Sequence, residues 1–296
     1  MEQSSSRRSA IAAWGALLLL ALIWGSSFIL IKRGLTAFSG SEVGALRIVS
    51  AGAFLLPVAL AALPKLSRQQ WGILLVIGLL GSLIPAFLFA WAQTQLSSSA
   101  TGIINAITPL NVLVVGALFF HQAINRKQLV GLGVGLAGTI LLILAGSSGT
   151  PEGGISIYAL LVVGATLCYG FSSNIIKHFT SDLTPRTITA VSLLLVLPIA
   201  SVYLFGYSSF IPTLEQEAAW WPFLAIVTLG VVGTALALII FNKLIQIRTP
   251  VFATSVTYLV PMVAILWGFL DGETLTYLHF LGMAAILGGV YIANRL

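Results

Sequence analysis

Polar side chains inside otherwise apolar stretches are the residues of this chain that could do chemistry. A hydroxyl or carboxamide in hydrocarbon is costly unless it is paired or faces a cavity. Thr101, Asn105 and Thr108 fall at i, i+4 and i+7, one face of a helix. Thr254, Thr257 and Tyr258 repeat the arrangement ahead of Pro261. Trp24 and Ser27 stand in the first apolar run, Tyr169 and Ser172 in the sixth. Together with Gln93 and Asn174 these are the candidate substrate-binding residues. Hydroxyls and amides can hydrogen-bond a solute, and the rings can stack on an aromatic or cationic one. The competing role for each hydroxyl is to bond helix to helix, or back to its own carbonyl. Asn105, Asn111, Asn174 and Gln93 are costlier to leave in lipid. Pro109 and Pro261 lie mid-run, where a proline frees a carbonyl one turn earlier and kinks the helix. They are candidate hinges for gating, or static bends. Trp91 and Trp267 could join the aromatic set, whereas Trp14, Trp71, Trp220 and Trp221 read as interfacial anchors.

No Asp or Glu lies deep in an apolar run; Glu42, Asp271 and Glu273 sit at the edges. Proton-coupled exporters of cationic drugs commonly need a buried carboxylate. Facilitated movement of a neutral or zwitterionic solute is therefore expected, with a Tyr, an edge His or a water chain as the route left for protons. No nucleophile–base–acid set appears, so an enzyme is not expected. Gly131, Gly133, Gly135 and Gly138 lie in an apolar helix with no Lys-Ser/Thr pair after them, which is no phosphate cradle. His121, His178 and His279 do not cluster and Cys168 is the single cysteine, so no metal, cofactor or disulfide is expected. No ring-forming charged or carbonyl-filter segment favours a channel.

The elements that position these residues follow from composition. The 296 residues are 58% hydrophobic and 7% charged, against about 25% charged in a soluble domain. The solvent must be lipid. Ten runs of membrane-spanning length fall at 9–31, 44–63, 71–92, 98–120, 128–145, 155–176, 187–206, 220–241, 250–270 and 277–293. The predicted fold is all-α, a polytopic membrane protein with ten transmembrane helices. The formal charge of +6 reflects Lys and Arg at span ends rather than a nucleic-acid surface. With the N-terminus in the cytoplasm, eleven of the fourteen basic residues fall in cytoplasmic segments, and only Lys32, Arg33 and Arg47 fall outside. Both termini are thus placed on the cytoplasmic side. The first run, about 23 residues, exceeds the 7–15 of a signal h-region and reads as an uncleaved span. Arg47, near a span end, can snorkel to the outer surface or attract a substrate carboxylate.

The second five spans echo the first. At an offset of 145, Leu22, Gly25, Ser27, Ile31 and Lys32 meet Leu167, Gly170, Ser172, Ile176 and Lys177, and Trp24 meets Tyr169. Leu56-Pro57-Val58-Ala59 meets Leu197-Pro198-Ile199-Ala200. At an offset of 152, Asn105, Pro109 and Gly116 meet Thr257, Pro261 and Gly268. Gly131 and Gly138 meet Gly282 and Gly289. An odd-numbered unit enters the bilayer inverted the second time. Residues 1–145 and 155–296 are therefore expected to be two inverted five-helix repeats joined by a linker at 146–154. Such repeats bind solute near the midplane and expose it alternately. Trp24, Ser27, Thr101 and Asn105 would form a polar layer on the outer side, and Tyr169, Ser172, Thr254 and Thr257 one on the cytoplasmic side. The glycine faces of spans five and ten permit close helix contact, within the chain or in a weak homodimer.

Trp24-Gly25-Ser26-Ser27-Phe28, Arg47, Pro109, Pro261 and Gly272-Glu273 carry a resemblance to the drug/metabolite transporter superfamily, in its ten-helix EamA branch. The resemblance covers essentially the whole chain. Where the second half has Glu273, the first has His121. The resemblance implies a bacterial exporter of amino acids and related metabolites, similar to YddG-type exporters of aromatic and other neutral amino acids. A proton-coupled multidrug exporter is the alternative. The expected partners are a small-molecule substrate and the lipid bilayer, with no nucleic acid, in a monomer or weak homodimer.

Overall fold

The computed structural model describes residues 2–123, 126–147, 157–248, 250–273 and 277–294. Among these the chain is helical, without strands. Its first half runs α1 Glu2–Gly25, α2 Ser27–Gly34, α3 Gly40–Ala62, α4 Arg68–Gly78, α5 Ile84–Ala92, α6 Ser98–Asn105, α7 Thr108–Phe120 and α8 Arg126–Ser147. Its second half runs α9 Ile157–Phe179, α10 Pro185–Val202, α11 Phe210–Leu214, α12 Trp220–Gly230, α13 Ala237–Ile247, α14 Pro250–Thr254, α15 Val260–Leu270 and α16 Tyr277–Asn294. Several of these are pieces of one rod. Among the described residues eight rods are long and apolar enough to cross a membrane. The long helices α8 and α16 pack on each other beside them. Large apolar side chains such as Leu118 and Phe269 point outward at 69% and 72% exposure, which only a lipid surround makes favourable.

Local chemistry sets the helix starts. The Ser39 hydroxyl accepts from the Glu42 N–H, while the Glu42 carboxylate accepts from the Ser39 N–H and hydroxyl. Ser67 and Gln70 exchange bonds in the same way at α4. Ser97 and Thr184 cap α6 and α10. Of the expected linker, residues 146–147 extend α8, and 148–154 lie outside the described residues.

Besides the π-helical turn Tyr203–Tyr207 that ends the α10 rod, two rods contain one part-way along, Leu79–Leu83 between α4 and α5 and Val231–Leu236 between α12 and α13. They follow Gly78 and Gly230, which are 152 residues apart. Both glycines are needed for close approach. A Cβ on Gly78 would lie 2.3 Å from the Ser192 carbonyl oxygen, and one on Gly230 2.7 Å from that of Arg47. Pro109 and Pro261 each stand second in a new helix, after a turn of i→i+3 bonds at Ala106–Ile107 and a 3-10 turn at Ser255–Tyr258. The glycines of α8 and α16 face each other within the chain: a Cβ on Gly289 would meet the Gly131 carbonyl oxygen at 2.5 Å.

Candidate functional site

The rods enclose a cavity of about 90 Å³. A water needs roughly 10–15 Å³ of such space, so the cavity has room for several water-sized groups. Its wall is built twice over. Trp24 and Tyr169, Ser27 and Ser172, and Ile31 and Ile176 stand 145 residues apart and all line it. Gly81 and Gly233, Ser82 and Thr234, Phe89 and Phe241, and Asn105 and Thr257 stand 152 apart and also line it.

The aromatic contacts repeat the correspondence crosswise. Trp24 meets Phe241 edge-on, with centroids 5.0 Å apart, and its indole N–H donates to the Gly233 carbonyl at 2.9 Å. Tyr169 stacks on Phe89 at 6.0 Å. A π turn interrupts the regular ladder of a helix, and the Gly233 carbonyl there serves the indole.

Among the described residues one charged side chain lines the cavity. Arg47 Nε donates to Thr234 Oγ1 at 2.8 Å, and the Tyr169 hydroxyl stands beside the guanidinium. The expected snorkelling is therefore not what occurs: Arg47 turns inward because Thr234 and Tyr169 offer oxygens there. Asn242 also lines the cavity. Its Nδ2 donates to Thr189 Oγ1 at 2.9 Å, whereas its buried Oδ1 has no protein donor.

The structure gathers Trp24, Ser27, Asn105, Thr108, Tyr169, Ser172, Thr254 and Thr257 around one cavity. The remaining candidates stand outside its lining. Gln93 Nε2 donates to the Phe28 carbonyl at 2.9 Å and to Ser98 Oγ at 3.3 Å, tying α2 to α6. Thr101 bonds back to the Ser97 carbonyl. Asn174 donates to the carbonyls of Val112 and Gly170. Tyr258 is half-buried away from the cavity. Trp91 and Trp267 donate to Ser41 and Ser26 at the exterior. Phe89, Phe241, Ser82, Thr234, Ser192 and Asn242 line the site without having been singled out from the sequence. The signal for four of them was present, since the offset of 152 also aligns Gly78-Leu79-Leu80-Gly81-Ser82 with Gly230-Val231-Val232-Gly233-Thr234 and Phe89 with Phe241.

The α6–α7 rod is closed differently at its two ends. At the Ser98 end, Lys32 Nζ lies 2.6 Å from Asp271 and 3.0 Å from Glu273, and Arg33 pairs with Asp271. Glu273 accepts from the N–H groups of Ser98 and Ser99 at 3.0 and 3.1 Å and from the Ser99 hydroxyl at 2.8 Å. Burial alone would push its carboxyl up, but the bonds from Ser99, Lys32 and Ser98 outweigh it and hold the group below the usual carboxylate range. At the Phe120 end the closure among the described residues is an amide pair, with no salt bridge among them. Gln122 Nε2 donates to Asn174 Oδ1 at 2.9 Å. Gln122, not His121, occupies the place of Glu273. A Cβ on Gly116 would meet Gln122 Oε1 at 2.6 Å, as one on Gly268 would meet Glu273 Oε2 at 2.5 Å. His121 takes the left-handed turn, φ 53°, that sends the chain back. Lys177, which aligns with Lys32, donates to the carbonyls of Ile245, Gln246 and Arg248 at the end of α13.

A family model described as the EamA-like transporter family matches residues 12–144 and again 156–295. The chain is 30% identical to a protein of Escherichia coli (strain K12) named an uncharacterized inner membrane transporter, YedA, over 97% of this chain and 92% of that one. It is 26% identical to a protein of the same strain named a probable amino-acid metabolite efflux pump, over 97% and 95%. A solved crystal structure matches with a TM-score of 0.67 at 18% identity, covering 96% of each chain, a likeness of fold.

Proposed function

The chain belongs to the EamA-like transporter family, and from that footing we propose that it exports amino acids, aromatic or neutral, or similar small metabolites, by facilitated alternating access. The observation that carries this is the twofold construction of the cavity wall, in which Trp24–Phe241 and Tyr169–Phe89 are exchanged copies of one contact. A wall of that kind suits two inverted five-helix repeats, residues 1–145 and 155–296, which rock about a shared solute. The cavity is small and aromatic, with Arg47 as its one cationic donor, otherwise neutral donors, and no carboxylate among its described lining residues. That composition suits neutral or zwitterionic solutes better than bulky cationic drugs. The name of the amino-acid metabolite efflux pump points the same way. We read the protein as spanning the bacterial inner membrane ten times, with both termini cytoplasmic, on the strength of the basic residues at alternate span ends.

The test is counterflow in proteoliposomes with a panel of labelled amino acids, with and without a pH gradient. Exchange of one or more amino acids without stimulation by the gradient is the expected result. Stimulation by the gradient would overturn facilitated movement, and no exchange of any amino acid would overturn the substrate class.

A further inference from the structure

Arg47 offers a chemistry that the transport reading does not by itself require. It stands in α3 within the membrane-crossing rod and lines the cavity. The ion pairs among the described residues belong to Lys32 and Arg33, so no acidic side chain there pairs with Arg47. A guanidinium holds its charge and carries five N–H donors in a planar fork. The bond from Nε to Thr234 Oγ1, 2.8 Å, fixes the plane of that fork from one side. The Tyr169 hydroxyl stands beside the same guanidinium, and the terminal N–H groups that remain can meet a carboxylate through N–H···O bonds. An uncompensated charge in a low-dielectric site is costly, and an entering anion would relieve that cost. Thr234 is itself presented by the π turn Val231–Leu236, and a Cβ on the preceding Gly230 would strike the Arg47 carbonyl. The backbone of α3 and the rod that carries Thr234 are thus held at close quarters, which suits a prepared subsite rather than a loosely tethered surface arginine.

We propose that Arg47, oriented by Thr234, is the carboxylate subsite of the cavity, so that the protein selects solutes for a carboxylate. The proposal rests on the reading of the cavity as the solute site. It adds the group by which the solute is recognised and the residue pair that recognises it.

The test is ligand-induced thermal stabilisation of the purified full-length protein in detergent. The probes are phenylalanine, 3-phenylpropionate, phenylalaninamide and phenethylamine, which share a ring and differ at the charged end. The two carboxylates are expected to stabilise wild type at roughly tenfold or more lower concentration than the amide and the amine. Arg47→Gln should lose that preference. Arg47→Lys should keep part of it, since the charge remains and the fork is lost. Thr234→Val should weaken the carboxylates and leave the amide unchanged. Should Arg47→Gln fail to fold, Arg47→Lys and Thr234→Val carry the comparison. Equal stabilisation by all four probes, stabilisation by none, or an intact preference in the folded variants would overturn the subsite. Counterflow with the same compounds separates the two claims. Carboxylate-selective binding without counterflow leaves Arg47 standing and removes transport, while counterflow of acid and amide alike does the reverse.

Discussion

At the residue scale, the informative side chains are those whose hydrogen bonding is incomplete or crowded. Asn242 is 3% exposed and its Oδ1 has no protein donor. Gln93 Oε1 is equally unpartnered, but it lies off the cavity, so an orphan acceptor alone does not mark solute contact. Position in the cavity wall distinguishes the two. Asn242→Leu removes the orphan acceptor together with one bond to Thr189, whose hydroxyl still donates to the Pro185 carbonyl, whereas leaving a buried donor without its partner costs about 1–3 kcal/mol. Asn242→Leu is therefore expected to change stability by less than about 1 kcal/mol yet to lower flux in proteoliposomes. Thr189→Val, which strands Asn242 Nδ2, should lower the unfolding temperature more than Asn242→Leu does. The reverse order would refute this account. Glu273 is crowded, with four donors on one carboxylate. Its folded carboxyl lies below the ordinary value, so its contribution is complete above the ordinary carboxylate range and disappears as pH falls through the depressed value. Glu273→Gln should cost about 2 kcal/mol near neutral pH. In thermal unfolding the gap between variant and wild type should close on acidification. A gap that persists at the lowest pH that keeps the protein folded would contradict the linkage.

At the scale of elements, the irregular turns matter more than the helices. Gly230 packs against α3, where a Cβ would lie 1.9 Å from Ser50 Oγ and 2.7 Å from the Arg47 carbonyl oxygen. Gly230→Ala must push the two rods apart, and overpacking of this kind costs about 1–3 kcal/mol. Gly72, within α4, has open space around it, so Gly72→Ala should be neutral or slightly stabilising through helix propensity. Thermal unfolding of the two variants in detergent measures the contrast, and equal effects would sink the packing argument. The same elements decide what could be read from sequence. Hydropathy located the rods, and the repeat at an offset of 145 pointed to Trp24, Ser27, Tyr169 and Ser172, which the structure brings to the cavity wall. Of the Thr101–Asn105–Thr108 face, Asn105 and Thr108 line the cavity and Thr101 stands outside it, with its hydroxyl taken by the Ser97 carbonyl. Gln93 and Asn174 are buried amides off the cavity lining whose Nε2 and Nδ2 donate to backbone carbonyls, while Gln93 Oε1 stays unpartnered. A π turn leaves no mark in hydropathy, so Ser82 and Thr234 were visible only through the repeat.

For the whole molecule, the consequence lies in how the two ends differ. One end is closed by Lys32, Arg33, Asp271 and Glu273, the other by Gln122 and Asn174 over equivalent glycines. Salt weakens ion pairs to the extent that their charges are exposed, as those of Lys32 and Arg33 are, and leaves neutral amide bonds nearly untouched. The two closures should therefore respond to different perturbations. If the halves rock as one body against the other, loosening one end also shifts the population in which the other is shut. Ile31 and Ile176, 145 residues apart on the cavity wall, provide matched reporters for the two ends. With Cys168 replaced by Ala, a single cysteine at either position can be labelled with a membrane-impermeant maleimide in oriented vesicles. Glu273→Ala, or raised salt, is expected to speed labelling at position 31 and slow it at position 176. Gln122→Ala should do the opposite and be indifferent to salt. The rates would have to move in opposite senses, because a two-state molecule conserves its total population. Labelling that rises at both positions together would mean local fraying in place of alternation, and would remove the mechanical basis of the exchange.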